Sequence, residues 1–227
     1  MMTAPPLITM GVDVGQVRDP TAIAVAEAVP QVYAGRTEAD ERYIVRHLER
    51  LPLGTAYPQV AARIAAIATK LHERAGQNAV PLFIDATGVG RPVADLLTQA
   101  GVTPCAVSFV AGARLTVRAD GSIALGKEWL VSRLQALLHA GRLSLPHTAD
   151  ARALASELLT YEIRVAQDGG TTCGAFKAGT HDDLATALGL AVLGKGSDRP
   201  ARSGARTAQE KEKEKGGMTR WDQSRSA

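Results

Sequence analysis

Cysteine is scarce in this sequence. Cys105 and Cys173 are the only two in 227 residues, they lie 68 positions apart, and neither neighbours a histidine. That excludes a disulfide framework and a CxxC-type zinc site, and both read as buried thiols. Long apolar runs are also missing: no stretch of 18 or more apolar residues occurs, and the N-terminus "MMTAPPLITM" has neither the basic region nor the apolar core of a secretory signal. The chain therefore reads as cytoplasmic. The G-x-S-x-G pattern of a serine nucleophile is absent too. A phosphate loop is suggested only by "GLAVLGKG" (189–196), which carries Gly196 where the magnesium-binding Ser or Thr belongs. That string also ends a helical pattern, whereas a phosphate loop precedes a helix.

What is present is a hydrophobic content of 45%, enough for one sizeable core. Net charge is +3, but its location matters more than its size. From Lys195 onward there are nine Lys or Arg against five acids, leaving 17 basic and 18 acidic residues in the rest of the chain. The basic surplus thus belongs to the end of the chain. Residues 1–195 read as one globular domain, and 196–227, rich in Gly, Ser, Arg, Lys and Glu, as a disordered charged tail with too little apolar surface to offset its ordering entropy. Within it Trp221 is the one residue suited to anchoring a partner.

Apolar or alternating stretches at 6–14, 21–29 and 42–51 predict three consecutive antiparallel strands. A helix over 58–74 follows, with Val60, Ile64, Ile67 and Leu71 on one face. "VPLFID" (80–85) predicts a fourth strand, 91–99 a second helix with Pro92 in its first turn, and "TPCAVSFV" (103–110) a fifth strand. "ARLTVRADGSIAL" (113–125) predicts a hairpin, with Asp120-Gly121 supplying positive φ. Helices over 127–140 and 149–160 precede a second hairpin, "YEIRVAQDGGTTCGAFKA" (161–178), turning at Asp168-Gly169-Gly170, and a last helix over 181–193. The fold class is therefore α/β: three antiparallel strands, then parallel strands in one mixed sheet, with flanking helices and an added hairpin.

Carboxylates stand at three element ends. Asp13 ends the first strand, Asp85 ends the fourth, and Asp182 with Asp183 opens the last helix. If strands one and four are neighbours, the first two acids meet at one sheet edge, and a helix packed across that edge brings the others. Such a cluster repels itself unless cations are present, and hard divalent ions with oxygen ligands suit it. Each acid also has a purely structural explanation. Asp13 can terminate a strand before a glycine turn, Asp85 can cap the loop after it, and "THDD" fits a capping box with Thr180 as cap and Asp183 three residues later.

Four segments in order, "GVDVGQVRDPTAIAV", "FIDATGVGRPVADLL", "GKEWLVSRLQALLHAGRLSLP" and "AGTHDDLATALGLAV", resemble the nuclease domain of the large terminase subunit of tailed bacteriophages, an RNase H-like (RuvC-like) fold. The resemblance spans about residues 7 to 193. It implies an RNase H-like sheet and a metal-dependent endonuclease that cuts concatemeric double-stranded viral DNA during packaging in the bacterial host cytoplasm. On it, Asp13, Asp85 and Asp182 correspond to acids that hold two Mg²⁺ or Mn²⁺ ions, with Asp183 a further ligand or an acid behind them. Asp19, six residues after Asp13, matches an acid often seen in the first hairpin of such domains, and equally fits its "DPT" turn. Lys127, Lys177 and His181 become phosphate-facing groups, where their plain alternative is a solvated surface. The implied partners are a packaging ATPase, the small terminase and a portal. A complete large terminase carries its ATPase ahead of the nuclease, and here the first acid lies at residue 13. The ATPase is therefore expected on another chain or in a missing part.

Three other readings compete. An actin-like or sugar-kinase-like nucleotide-binding domain also begins with an acid and glycines on a first hairpin, but usually duplicates its fold over a longer chain. A Holliday-junction resolvase shares fold and metals. A catalytically silent packaging module needs none of the acids.

Overall fold

The structure, a computed structural model, describes residues 7–31, 40–76, 79–160, 162–165, 171–174 and 181–193. The first strands, β1 (Leu7–Asp13), β2 (Ala22–Gln31) and β3 (Asp40–Arg50), pair antiparallel in sequence order, as their alternation predicts. Helix α1 (Tyr57–Ala75) leads to β4 (Leu82–Asp85), and α2 (Gly90–Gln99) to β5 (Cys105–Val110). β4 pairs parallel with β1, setting Val12 opposite Ile84, so the first and fourth strands are neighbours. β6 (Leu115–Val117) and β7 (Ile123–Gly126) form the first predicted hairpin, and β7 also joins the sheet parallel to β5. Helix α3 (Lys127–His139), the two-residue strand β8 (Leu143–Ser144) and α4 (Ala149–Thr160) follow. The eight strands run β6-β7-β5-β4-β1-β2-β3-β8, while β9 (Glu162–Val165) and β10 (Thr171–Gly174) form a separate antiparallel pair. The chain ends its described part in α5 (Asp183–Ala191).

Both sheet faces are covered, which suits a sheet with parallel strands. On one face Met10, Val12, Ile23, Val25 and Ile84 pack against Val60 and Ile64 of α1 and Val93 and Leu97 of α2. On the other, Ala22, Ala24, Ala26 and Ala28 of β2 lie beneath α5, with α3 and α4 completing the core. These side chains are small for a reason. α5 sits so close to the sheet that a Cβ added at Gly11 of β1 would meet the Ala187 carbonyl oxygen at 2.1 Å and the Ala191 nitrogen at 2.4 Å. The helix is correspondingly apolar all round, and every residue from Asp183 to Ala191 is buried. Thr9 of β1 also donates its hydroxyl to the Ala191 carbonyl, tying the helix's far end to the same strand.

Several expectations are corrected. At the first hairpin only Gly121 has positive φ (83°), and Asp120 does not. Arg118 and Ser122 close the loop, with Arg118 N–H donating to the Ser122 carbonyl at 2.8 Å and Gly121 N–H to the Arg118 carbonyl at 3.0 Å. Gly121 thus takes the left-handed position after a tight turn, while the Asp120 carboxylate accepts from Ser122 N–H at 2.9 Å. β8 carries too few residues for any periodicity to show it. The last helix begins at Asp183 rather than His181. Cys105 is only partly buried. The Cys173 side chain, the Asp168-Gly169-Gly170 turn, Thr180, Lys177, Trp221 and the whole 196–227 tail lie outside the described residues.

Candidate metal centre

Three elements deliver the acids to one place. β1 and β4, side by side and parallel, end on Asp13 and Asp85 at the same sheet edge. α5 crosses β1 at the glycine contact, and its N-terminus carries Asp182 and Asp183 to that edge. Together with Lys127, the first residue of α3, and the β1–β2 loop, these acids line a cleft of about 450 Å³. The loop is braced from inside: the Thr21 hydroxyl donates to the Gly15 carbonyl at 2.9 Å, and a Cβ at Gly15 would run into the Asp19 carbonyl oxygen at 2.0 Å. The α2 N-terminus is equally tight, since a Cβ at Gly90 would meet the Asp85 carbonyl oxygen at 1.7 Å.

Asp182 is the N-cap of α5 but makes no side-chain capping hydrogen bond. Its carboxylate faces Lys127 instead, with Nζ to Oδ2 3.3 Å. Asp85 does serve its loop, because Oδ1 accepts from Thr87 N–H at 2.8 Å. That bond leaves lone pairs on both oxygens. Asp183, 2% exposed, is held by the fork of Arg50, Nε to Oδ2 at 2.7 Å and Nη2 to Oδ1 at 3.1 Å. His181 contacts Asp19, one of the lining residues, Nδ1 to Oδ1 3.4 Å. Lys127 is half-buried, its ammonium also 5.4 Å from the Phe109 ring.

Electrostatics mark the cleft as a place that resists negative charge. Burial pushes the Asp13 carboxyl well above the ordinary aspartate range, and the charges of Asp85, Asp182 and Asp183 push the same way, against Lys127. Burial also raises Asp85, opposed by the hydrogen bonds from Thr87 and the Lys127 charge. Beneath the cleft, burial lifts the Glu157 carboxyl to about 8, although the Ala185 N–H and the Arg50 charge both favour its ionised form. All three groups bind protons more tightly folded than unfolded, so stability falls as pH rises through the window between their ordinary and raised values. The metal-free protein should therefore lose stability, and with it melting temperature, as pH rises from about 5 toward the raised value of about 8 at Glu157, by up to about 1.4 kcal/mol per group for each pH unit inside its window. Thermal unfolding in EDTA across that range measures it, and a flat profile would contradict the electrostatic account of the cleft.

A divalent cation is the ligand whose chemistry answers this donor set. Asp13, Asp85 and Asp182 offer hard, anionic oxygens in one cleft, where the charges of Asp85 and Asp182 add to burial in raising the Asp13 carboxyl. Among the described residues no three His, Cys, Asp or Glu side chains form a tight coordination set as they stand. The acids converge on a cleft whose lining also carries the cations Lys127 and Arg18, while the Arg50 guanidinium is held on Asp183. Among the described residues, the cleft lining contains no serine, threonine or cysteine, and its hydroxyl group is the Tyr57 phenol. Sequence reasoning missed Arg50 and Glu157. Glu157 did leave a trace, since it falls three residues after Leu154 and six after Ala151 on the buried stripe of α4, where a carboxylate is out of place.

A family model described as a terminase RNaseH-like domain matches residues 10–195. Among solved structures, the chain is similar to the large terminase nuclease of the thermophilic phage G20c with bound magnesium, at 23% identity over 83% of this chain and 82% of that one, with a TM-score of 0.56. It is similar to the large terminase nuclease domain of Thermus phage P74-26 at 20% identity, over 84% of this chain and 81% of that one, with a TM-score of 0.54. The large terminase of bacteriophage HK97 matches at 15% identity and a TM-score of 0.54, over 84% of this chain but only 40% of that one. At these identities the likeness establishes the fold. No curated protein sequence matches significantly.

Proposed function

The chain belongs to the family of terminase RNase H-like domains, and from that premise we propose that it is a metal-dependent endonuclease cutting double-stranded viral DNA during genome packaging. The observation that carries this reading is the convergence of Asp13, Asp85 and Asp182, from three separate elements, on one cleft. Residues 1–195 form the nuclease unit, and 196–227 an appended charged segment.

Asp13, Asp85 and Asp182 would hold two Mg²⁺ or Mn²⁺ ions. Bound there, such ions lower the pKa of an attacking water and stabilise charge on the departing 3′ oxygen of a phosphodiester. The chain's own residues do the rest. In this reading the attacking group is a metal-activated water: the described cleft lining offers no serine, threonine or cysteine, and the Tyr57 phenol there is not assigned a role. Lys127, at the start of α3 and beside Asp182, offers a positive charge to a phosphate oxygen entering the cleft, and Arg18 on the β1–β2 loop offers another. His181, beside the lining residue Asp19, is a further group for approaching DNA, and Lys177 joins this set on sequence position alone. Asp183 is a weaker candidate as a direct ligand because Arg50 engages both of its oxygens.

Outside the tail the chain is nearly neutral, which predicts weak, salt-sensitive DNA binding by the domain alone. Tethering by a packaging ATPase, small terminase or portal would supply the missing local concentration. The family match sets aside the actin-like reading. A junction resolvase differs in preferring four-way junctions, so linear duplex and junction substrates are compared side by side. No described helix is long and apolar enough to cross a membrane.

The purified protein is expected to convert supercoiled plasmid to nicked and linear forms with millimolar Mn²⁺ or Mg²⁺, and to stop when EDTA is added. Plasmid left intact across both metals would overturn the reading.

A further inference from the structure

We propose that Arg50 and Glu157 are positioning residues which clamp the first turn of α5 and so aim Asp182 at Asp13 and Asp85. The effect on cleavage rests on the nuclease reading above, whereas the clamp itself belongs to the metal-free fold.

Three elements meet in this clamp. Arg50 ends β3, Glu157 lies on α4, and Asp183 begins α5. The Arg50 fork grips both oxygens of Asp183, and its Nη2 also donates to Glu157 Oε1. Glu157 Oε2 accepts the Ala185 backbone N–H at 2.8 Å. A helix leaves its first N–H groups without internal partners, and an acceptor oxygen placed there satisfies one of them. Asp182, the formal cap, leaves that task undone, so Glu157 performs it from another helix. The division of labour frees the Asp182 carboxylate for the cleft. With both of its oxygens on Arg50, Asp183 belongs to the clamp and not to the ion-holding set.

Arg50 reaches this place through an irregularity in the sheet. Ala26 pairs with Val45 and Val25 with His47, so Arg46 is an extra residue in β3. Tyr43 and Val45 face the α5 side before it, and Leu48 and Arg50 face that side after it, opposite Ala24 and Ala22. In a regular ladder Arg50 would project to the other face. The bulge re-aims the arginine beneath α5.

The test uses Arg50→Lys, which keeps the charge but loses the fork, together with Glu157→Gln, Asp183→Asn and Asp182→Asn. Arg50→Lys should stay folded and cleave about 10- to 100-fold more slowly, with the Mn²⁺ concentration for half-maximal thermal protection rising by a similar factor. Adding Glu157→Gln to Arg50→Lys should cost less than the two separate losses combined, since both act on one network. Asp183→Asn should retain an Mn²⁺-induced rise in melting temperature, and Asp182→Asn should lose it. Wild-type cleavage and an unchanged Mn²⁺ requirement in Arg50→Lys would overturn the clamp. Loss of the Mn²⁺ response in Asp183→Asn would overturn the placing of Asp183. Amide exchange at Ala185 in metal-free protein provides the independent reading: it should accelerate in Arg50→Lys and Glu157→Gln. Unchanged protection refutes the clamp even if wild-type protein neither binds Mn²⁺ nor cuts DNA, a result that would count against the nuclease reading alone.

Discussion

Replacing Asp13 by Asn is expected to abolish plasmid cleavage while leaving the metal-free protein at least as stable as the parent. The two halves of this result have one cause. Asp13 is an acid opposed by its surroundings: its carboxyl is desolvated and faces the charges of Asp85, Asp182 and Asp183, with Lys127 as the compensating cation. An amide of the same shape removes one of the repelling charges, so the melting temperature in EDTA should hold or rise. The same change removes an anionic ligand from the set that would hold the ions. Charge stabilisation by a bound ion is worth several kcal/mol in the transition state, and losing about 4 kcal/mol slows cleavage roughly a thousandfold. Stabilisation by Mn²⁺ should vanish in parallel. The measurements are plasmid conversion and thermal unfolding with and without Mn²⁺. Retained cleavage would remove Asp13 from the centre, and a collapse in stability would return it to the role of strand terminator. Asp85→Asn should behave similarly, and because an amide oxygen can still accept from Thr87 N–H, its loop should survive.

Gly11→Ala is the second large effect, and here stability and activity should fall together. Only a methyl group is added, yet it would sit 2.1 Å from the Ala187 oxygen and 2.4 Å from the Ala191 nitrogen. Those are backbone atoms of a buried helix, which no rotamer change can move aside. Either α5 lifts from β1 or the strand bends. Overpacking of well-filled cores costs typically 1–3 kcal/mol and occasionally more, and the unyielding neighbours place this case near about 3 kcal/mol. For a chain of this length that corresponds to a fall of about 6–12 °C in melting temperature. Because α5 carries Asp182 toward Asp13, cleavage at a permissive temperature should drop as well. A variant with parental melting temperature and rate would show that the close approach of α5 to β1 is not needed.

The two variants separate the ways in which the sheet serves the site. Asp13 contributes charge at the end of a strand, and Gly11, two residues earlier, contributes the absence of a side chain. Both lie in "MGVDVG", and periodicity alone treats the glycine as a weak point in a strand.

The sequence by itself determined what local chemistry controls. Apolar or alternating runs in "LITMGVD", "AIAVAEAVPQ" and "LFID" marked the strands, helical spacing marked α1 and α3, and residues such as Pro92 marked where a helix begins. The acids at three element ends were legible because a carboxylate at the close of an apolar strand is conspicuous, and the ordered motifs carried the family. Glu157 was half legible, as a charge on an apolar stripe. Only the tertiary structure decided the rest. That β1 and β4 are neighbours depends on how strands pair across the sheet. The depth of α5 depends on what faces Gly11, and the aim of Arg50 on one unpaired residue at Arg46. Each is a relation between segments distant in the chain, fixed by register and close packing, and neither quantity is written in the residues of one segment alone.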